Sequence, residues 1–446
     1  MTDLTTGNVA KQIFKFALPM LLGSLFHQLY NIVDTIIVGK YLGKEALASV
    51  GASFPIIFTI VALVIGIGSG ASVVISQYFG AKDDENVKKA VDTLNIFLLV
   101  MGIVISVVGV FISRWIFTIL QLPENLMDSA VAYLNIFLMG MVAFFGFNSV
   151  NSILRGVGDS KNPLYYLIIA TIINIALDLL FVLVFKWGIE GVAWASVIAQ
   201  FMAFVIAVIH INRHHSIIRI AVRGIKFDWK IFVQSIRIGL PTGLQHTFVA
   251  LGMMALMGIV NTFGTNVIAG FTAASRIDSM ASLPAMTLSA ALSVFVGQNL
   301  GANKLSRIVK GLKLTLIFAS IISVTMTVVA ILWSVPLMKI FTNDEAVIAV
   351  GQEYLIIVSL FYLLFSTMFI FNGLLRGAGA TLIPMFITLF SLWLVRIPLA
   401  AYLSKFMGEQ GIWWAIPIAW FFGVLGSFLY YRMGNWKTKG VVKPKI

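Results

Sequence analysis

Residues 13–38, IFKFALPMLLGSLFHQLYNIVDTIIV, form one apolar run with an acid inside it. A helix needs about 20 apolar residues to cross a bilayer, so the run is long enough to span. Asp34 lies well within it, and Asn31, Tyr30 and His27 precede that acid by one and two turns. An ionised carboxylate at the bilayer centre costs at least ~3 kcal/mol, so such a residue faces protein or water and usually has a task. The stretch therefore constrains the chain twice. It must be helical, because lipid offers no partner to backbone N–H and C=O groups. It must also be enclosed by other spans that give Asp34 somewhere to point.

The rest of the chain can supply them. Of 446 residues 59% are hydrophobic and only 11% charged, with mean hydropathy +0.98. A soluble domain is about 25% charged. Twelve helices are predicted, at 11–38, 46–79, 88–113, 128–155, 162–185, 189–211, 231–261, 266–299, 307–333, 344–375, 381–403 and 410–432. The expected fold class is thus all-α integral membrane, with 12 transmembrane helices. A barrel would need alternating ten-residue strands instead. The chain has no cysteine, which removes disulfides and thiol chemistry. The first apolar run is too long for the core of a cleaved signal peptide and is expected to remain.

The net charge of +13 is mainly a topology signal. With the N-terminus inside, the cytoplasmic segments hold 23 Lys and Arg and the opposite side holds 6, namely Lys40, Lys44, Arg114, Lys186, Lys339 and Lys405. Arg276 and Arg396 lie within spans. That asymmetry predicts both termini cytoplasmic. It leaves no case for nucleic acid as a partner.

The chain also repeats itself. FALP at 16–19 matches IGLP at 238–241, QYFGAK at 77–82 matches QNLGAN at 298–303, NSILRGVGDSKNP at 151–163 matches NGLLRGAGATLIP at 372–384, and GVAWA at 191–195 matches GIWWA at 411–415. The offsets are 222, 221, 221 and 220, so register holds across six spans. An even number of spans per repeat gives both halves the same orientation. Two six-helix lobes related by a pseudo-twofold along the membrane normal follow, a plan that recurs in transporters. The expected division is an N-lobe at 1–210, a basic cytoplasmic connector at 211–230, and a C-lobe at 231–446 with a basic tail.

Intramembrane polar residues are few. In the fifth span Asn174 and Asp178 are four residues apart and share a face; Tyr30 and Asn31 share Asp34's face in the first. If the two faces meet, the acids and Asn174, with Ser196 of the sixth span, form a place for a proton or for Na⁺; the residues alone do not choose between them. Asn174, Asn151 and Ser196 are equally readable as interhelical hydrogen-bonding residues. Arg276 and Asp278 of the eighth span are two apart and cannot share a face. Either they pair across the bundle, or Asp278 meets a cationic substrate in a central cleft. Arg396 is expected to pack or snorkel. His27 lies on Asp34's stripe and reads as a satisfied buried histidine or a relay. His214 and His215 read as solvated connector residues. Met253, Met254 and Met257 give a soft surface that suits apolar cations or lipid. The RGVG and RGAG turns are too short for a phosphate loop and read as tight helix connections.

Two six-helix lobes, ALP in the first span, VDTIIVG, QxxGA after the second and eighth spans, and LRGxG after the fourth and tenth together resemble the multidrug and toxic compound extrusion (MATE) family. The resemblance covers nearly the whole chain. In the DinF-like branch, acids in spans one and five, with an Asn one turn before the second acid, form the N-lobe coupling site. By that resemblance Asp34, Asp178 and Asn174 take this role, joined by Asn151. The NorM-like branch uses acids in spans seven and ten. Span seven here has none, and Glu353 lies early in span ten. The resemblance implies an efflux antiporter in the cell inner membrane, exchanging small organic cations for H⁺ or Na⁺ without a cofactor and acting as a monomer. Its substrate cleft would draw on Asn31, Tyr30, His27, Asp278, Arg276 and Met257. A lipid-linked saccharide flippase of the same superfamily is the alternative, disfavoured because intramembrane acids outnumber arginines. An intramembrane enzyme lacks any paired nucleophile and base or an HExxH cluster.

Overall fold

In the computed structural model residues 2–220 and 224–442 are described; residues 221–223 of the connector and 443–446 of the basic tail lie outside them. Among the described residues every regular element is helical. The first half of the chain forms α1 (Val9–Ile37), α2 (Gly43–Gly80), α3 (Asp84–Ile119), α4 (Glu124–Met139), α5 (Met141–Gly156), α6 (Lys161–Leu179) and α7 (Gly188–His214). The second forms α8 (Trp229–Val260), α9 (Thr265–Gly301), α10 (Leu305–Leu332), α11 (Ser334–Lys339), α12 (Glu345–Ser359), α13 (Tyr362–Gly377), α14 (Leu382–Leu389), α15 (Ile397–Met407) and α16 (Glu409–Met433). Ten helices are long and apolar enough to cross a membrane, and two bent pairs bring the number to 12.

Those two pairs correct the predicted fourth and tenth spans, which are not continuous. α4 and α5 meet at 47° across Gly140, and α12 and α13 meet at 53° across Leu360 and Phe361. Gly140 and Phe361 are repeat-equivalent, so the bend belongs to the repeat. At Gly140 a side chain would collide with Val197 of α7, which lets the backbone turn close to its neighbour. Five-residue π turns follow α1 (Val38–Leu42) and α6 (Leu180–Val184), and a seven-residue π segment (Phe390–Arg396) joins α14 to α15. Such segments are rare and concentrate at functional sites.

The repeated motifs have identifiable mechanical roles. After α2 and α9 the chain turns through a residue at positive φ, Lys82 and Asn303, both at 57°. After α5 and α13 it turns through Gly158 (φ 78°) and Gly379 (φ 84°), whose amides bond the carbonyls of Arg155 and Arg376 at 2.9 and 2.8 Å. Where α2 crosses α5, Gly68 lies against Ser152; where α9 crosses α13, the equivalent positions are Ser289 and Gly373. Glycine and serine have exchanged helices. One small residue at each crossing suffices for close approach.

The chain divides into two compact units, one of Met1–Asp3 with Leu18–Gly239 and one of Leu4–Ala17 with Leu240–Ile446. This differs from lobes at 1–210 and 231–446 in two places. The start of α1 belongs with the second unit, and residues up to Gly239 of α8 belong with the first. The switches fall at equivalent repeat positions, each just before a helix-interior proline, Pro19 or Pro241. In the first unit Gly239 lies against the backbone of Ile67, and Gly70 against that of Ser235 and Gly239. In the second unit the N-terminal segment is clamped. Leu4 is fully buried; its N–H donates to Gln298 Oε1 (2.9 Å) and its carbonyl accepts from Asn299 Nδ2 (3.2 Å). Lys304 donates to the Thr5 carbonyl (2.9 Å). Arg307 donates to the carbonyls of Leu4 (3.2 Å), Thr6 (3.0 Å) and Gly7 (2.9 Å) and to Gln12 Oε1 (3.2 Å).

One guanidinium thus closes four contacts that no other side chain type could make together. Arg307→Ala is expected to cost on the order of 3 kcal/mol, since hydrogen bonds to a charged group are worth more than neutral ones. The measurement is thermal unfolding of the purified protein in detergent. An unchanged midpoint for Arg307→Ala would show that the segment is held by Leu4 burial alone.

Candidate functional site in the first unit

The candidate site is assembled by α1, α4, α6 and α7. α1 brings Tyr30 and Asp34, α6 brings Asn174 and Asp178, α7 brings Ser196, and α4 brings Tyr133. Tyr30 Oη and Ser196 Oγ are hydrogen-bonded at 2.8 Å, and Asn174 Nδ2 donates to the same Ser196 oxygen at 3.3 Å. One hydroxyl therefore ties three helices. Asp178 is fully buried, with Asn174 and Ser196 also buried; Asp34 and Tyr30 are half-buried. The side chains of Asp34 and Asp178 come within hydrogen-bonding reach of each other. Tyr133 is buried within electrostatic range of both acids and of Tyr30.

What distinguishes this cluster is its surplus of acceptors. Asp34 Oδ1, Asn174 Oδ1 and both oxygens of Asp178 are buried without a hydrogen-bond partner. Among the described residues no ion pair reaches either acid. Buried polar atoms are normally paired, and an uncompensated buried charge is costly. Four unmatched oxygens on two facing helices are relieved by a proton shared between the acids or by a small cation among them. Chemically, the arrangement can take up and release one positive charge.

The structure places the other singled-out residues elsewhere. His27 and Asn31 are exposed and bond each other (3.3 Å) rather than the acids, so His27 is not buried. Asn151, on α5, has a buried unpaired Oδ1 but no hydrogen bond to either acid. In the second unit Arg276 is exposed, while Asp278 accepts from Tyr354 Oη at 3.4 Å. Those two charges point different ways, as their spacing requires. Met257 is half-buried against an apolar cluster containing Leu256, Phe271 and Tyr354. Met253 and Met254 are exposed. Arg396 is buried, not snorkelling. Glu353 bonds Gln410. Tyr133 was not singled out from the sequence, although its signal was present: Tyr133-Leu134 and Tyr354-Leu355 match at the repeat offset of 221.

Two repeated helical units, apolar outside and carrying buried polar side chains within, define a multi-pass membrane protein. The comparisons make this specific: the chain belongs to the MatE family, whose model matches residues 19–180 and again 241–402. The two matches start and end 222 residues apart, the period already seen in FALP and IGLP. The chain is 32% identical to a probable multidrug resistance protein, YpnP, of Bacillus subtilis (strain 168), over 99% of both chains. It is 30% identical to a second, YoeA, of the same organism, over 98% of this chain and 96% of the relative. A solved outward-facing structure of a multidrug resistance MATE family transporter of the MOP superfamily shares the fold, with TM-score 0.91, 24% identity and 96% of each chain covered.

Ser196→Ala would leave Tyr30 Oη and Asn174 Nδ2 without their common partner. A loss of about 1–3 kcal/mol is expected, the cost of leaving buried polar groups unmatched. Ser196→Thr, which keeps the hydroxyl, should retain wild-type stability. Detergent unfolding curves of the two variants decide; equal destabilisation by both would mean the hydroxyl is not the tie.

Proposed function

We propose that this chain is a secondary active multidrug efflux antiporter that exports organic cations in exchange for H⁺ or Na⁺, by alternating access. The supporting observation is the set of unpaired oxygens on Asp34, Asp178 and Asn174, buried and, among the described residues, without an ion pair. The relatives named as probable multidrug resistance proteins support the substrate class. The basic asymmetry of the sequence supports a cell inner membrane protein with both termini cytoplasmic. A single chain is the proposed transport unit, of the DinF-like kind in its use of first- and fifth-span acids.

In this mechanism an ion entering from outside removes one of the pair's two negative charges and favours one state of the transporter. Its release inside favours the other. Coupling requires only that the ion bind the two states with different affinity. Asp34 and Asp178 hold the charge, Asn174 adds a neutral oxygen, and Tyr30 and Ser196 fix α1 and α6 around them. A protonated pair and a Na⁺-filled pair carry one added charge each, so a single site serves either ion.

Asp34→Asn in a drug-sensitive host should abolish resistance while the protein still reaches the membrane. In reconstituted vesicles, uptake or efflux of a fluorescent cation should respond to an imposed proton gradient or an imposed Na⁺ gradient, and the response should fall on the order of tenfold or more in Asp34→Asn, as expected for loss of a coupling free energy of 1–3 kcal/mol. Undiminished efflux by the variant would sink the assignment.

A further inference from the structure

The motif GVAWA at 191–195, repeated as GIWWA at 411–415, has no role in the site described above, and its surroundings differ between the units. In the first unit Trp187 is the N-cap residue of α7, Glu190 lies in its first turn and Trp194 follows one turn later. Spacings of three and four residues put the three side chains on one face. They line a surface cavity of about 280 Å³. That is close to the lower end of small-molecule pockets, about 300 Å³.

Trp187 is fixed by its neighbours. Its ring stacks on Phe181 at 4.7 Å and lies 5.6 Å from Phe185, and those two phenylalanines stack on each other at 5.9 Å. Phe181 is itself buried in the π segment Leu180–Val184, so the indole has a firm base while half of its surface stays exposed. Glu190 is exposed and has no ion pair among the described residues. Lys186, four residues before it, sits at positive φ (57°) in the turn that enters α7 and forms no ion pair with it. The second unit fills the same place differently. At the offset of 220 Glu190 becomes Gln410, Trp187 becomes Met407 and Trp194 becomes Trp414. Gln410 donates to Glu353 Oε1, and Trp414 meets Phe361 edge-on at 5.8 Å. The first-unit equivalent of Glu353 is Ala132. The second unit thus engages its acid, and the first leaves its acid free beside two indoles.

Tryptophan is common at membrane interfaces, which accounts for exposed indoles but not for an unpaired acid in the cavity they line. Indole faces attract cations, and aromatic cages recognise quaternary ammonium groups. A hard metal ion would ask for several oxygen ligands, and among the described residues no three His, Cys, Asp or Glu side chains come together. We propose that Trp187, Glu190 and Trp194 form a cation site on the first unit, distinct from Asp34 and Asp178, that takes a small organic ammonium against the two indoles with Glu190 as its counter-charge. With both termini inside, the start of α7 lies at the outer face, and the site is an outer station for the exported cation. That role rests on the efflux reading; the binding itself does not.

The test measures binding of radiolabelled tetraethylammonium to the full-length protein in nanodiscs by equilibrium dialysis. Glu190→Gln and Trp194→Leu should each weaken one class of sites about fivefold or more, and Trp194→Phe, which keeps an aromatic face, should weaken it less. Trp115→Leu, at another exposed tryptophan on α3, should bind as the wild type does. Wild-type binding by Glu190→Gln, or an equal loss in Trp115→Leu, overturns the proposal. If Trp194→Leu does not yield folded protein, Glu190→Gln, at an exposed side chain, decides alone. Asp34→Asn should keep this binding while losing coupled transport, and loss of the binding there would overturn the separation of the two sites. If Asp34→Asn transports normally, the coupling assignment falls and the binding result stands.

Discussion

The structure turns on a mismatch that folding alone does not resolve. Asp178 is fully buried, both of its oxygens lack a donor, and its near neighbour is another acid. In lipid-enclosed surroundings such a group is tolerated only with compensation. Everything around it limits what that compensation can be. Tyr30 and Asn174 are both hydrogen-bonded to Ser196, Asn174 as the donor. One serine hydroxyl thereby ties α1, α6 and α7 beside the two acids.

The scaffold that holds this mismatch is symmetric to within a residue or two. The units switch at Ala17/Leu18 and Gly239/Leu240, the helix breaks fall at Gly140 and Phe361, and the positive-φ turns fall at Lys82 and Asn303. Packing is conserved between halves even where residue identities trade places, as Gly68 with Ser152 does against Ser289 with Gly373. Charge is not treated that way. The positions equivalent to Asp34 and Asp278 are Leu256 and Ile57. A repeat needs helix length, close approach and turn geometry, and these specify small residues and apolar faces. It does not need acids, so acids are free to differ.

Much of this was legible in the residues. Twelve spans, the two halves and their register follow from apolar runs and from four matched motifs, and the shared face of Asn174 and Asp178 follows from i, i+4 spacing. Three things were not legible. The bends at Gly140 and at Leu360–Phe361 lie inside unbroken apolar runs, where hydropathy carries no information about direction. The side-chain partners of Gln298, Asn299 and Arg307 are backbone groups near the N-terminus, the Leu4 N–H for Gln298 and carbonyls for the other two, some 300 residues away, and no local pattern marks a backbone partner. The exposure of His27 and Asn31 depends on which part of α1's face meets α6 and α7. A helical stripe alone cannot say how wide the contact is. Tyr133 is different in kind: the repeat offset points to it, but only if aromatic residues in apolar runs are weighed as polar.

Asymmetry between the units has a physical consequence for coupling. Were both units to present unpaired acids, two ions would have to bind and leave per cycle, and each empty intermediate would strand a buried charge. The helix break is retained in both units, and so is a π segment in the span that carries Asp178 or Arg396. The deformable elements are therefore present twice, whereas the facing pair of buried acids, Asp34 and Asp178, belongs to the first unit. A transporter built this way can respond to ion binding in one unit with a backbone that is equally able to bend in both.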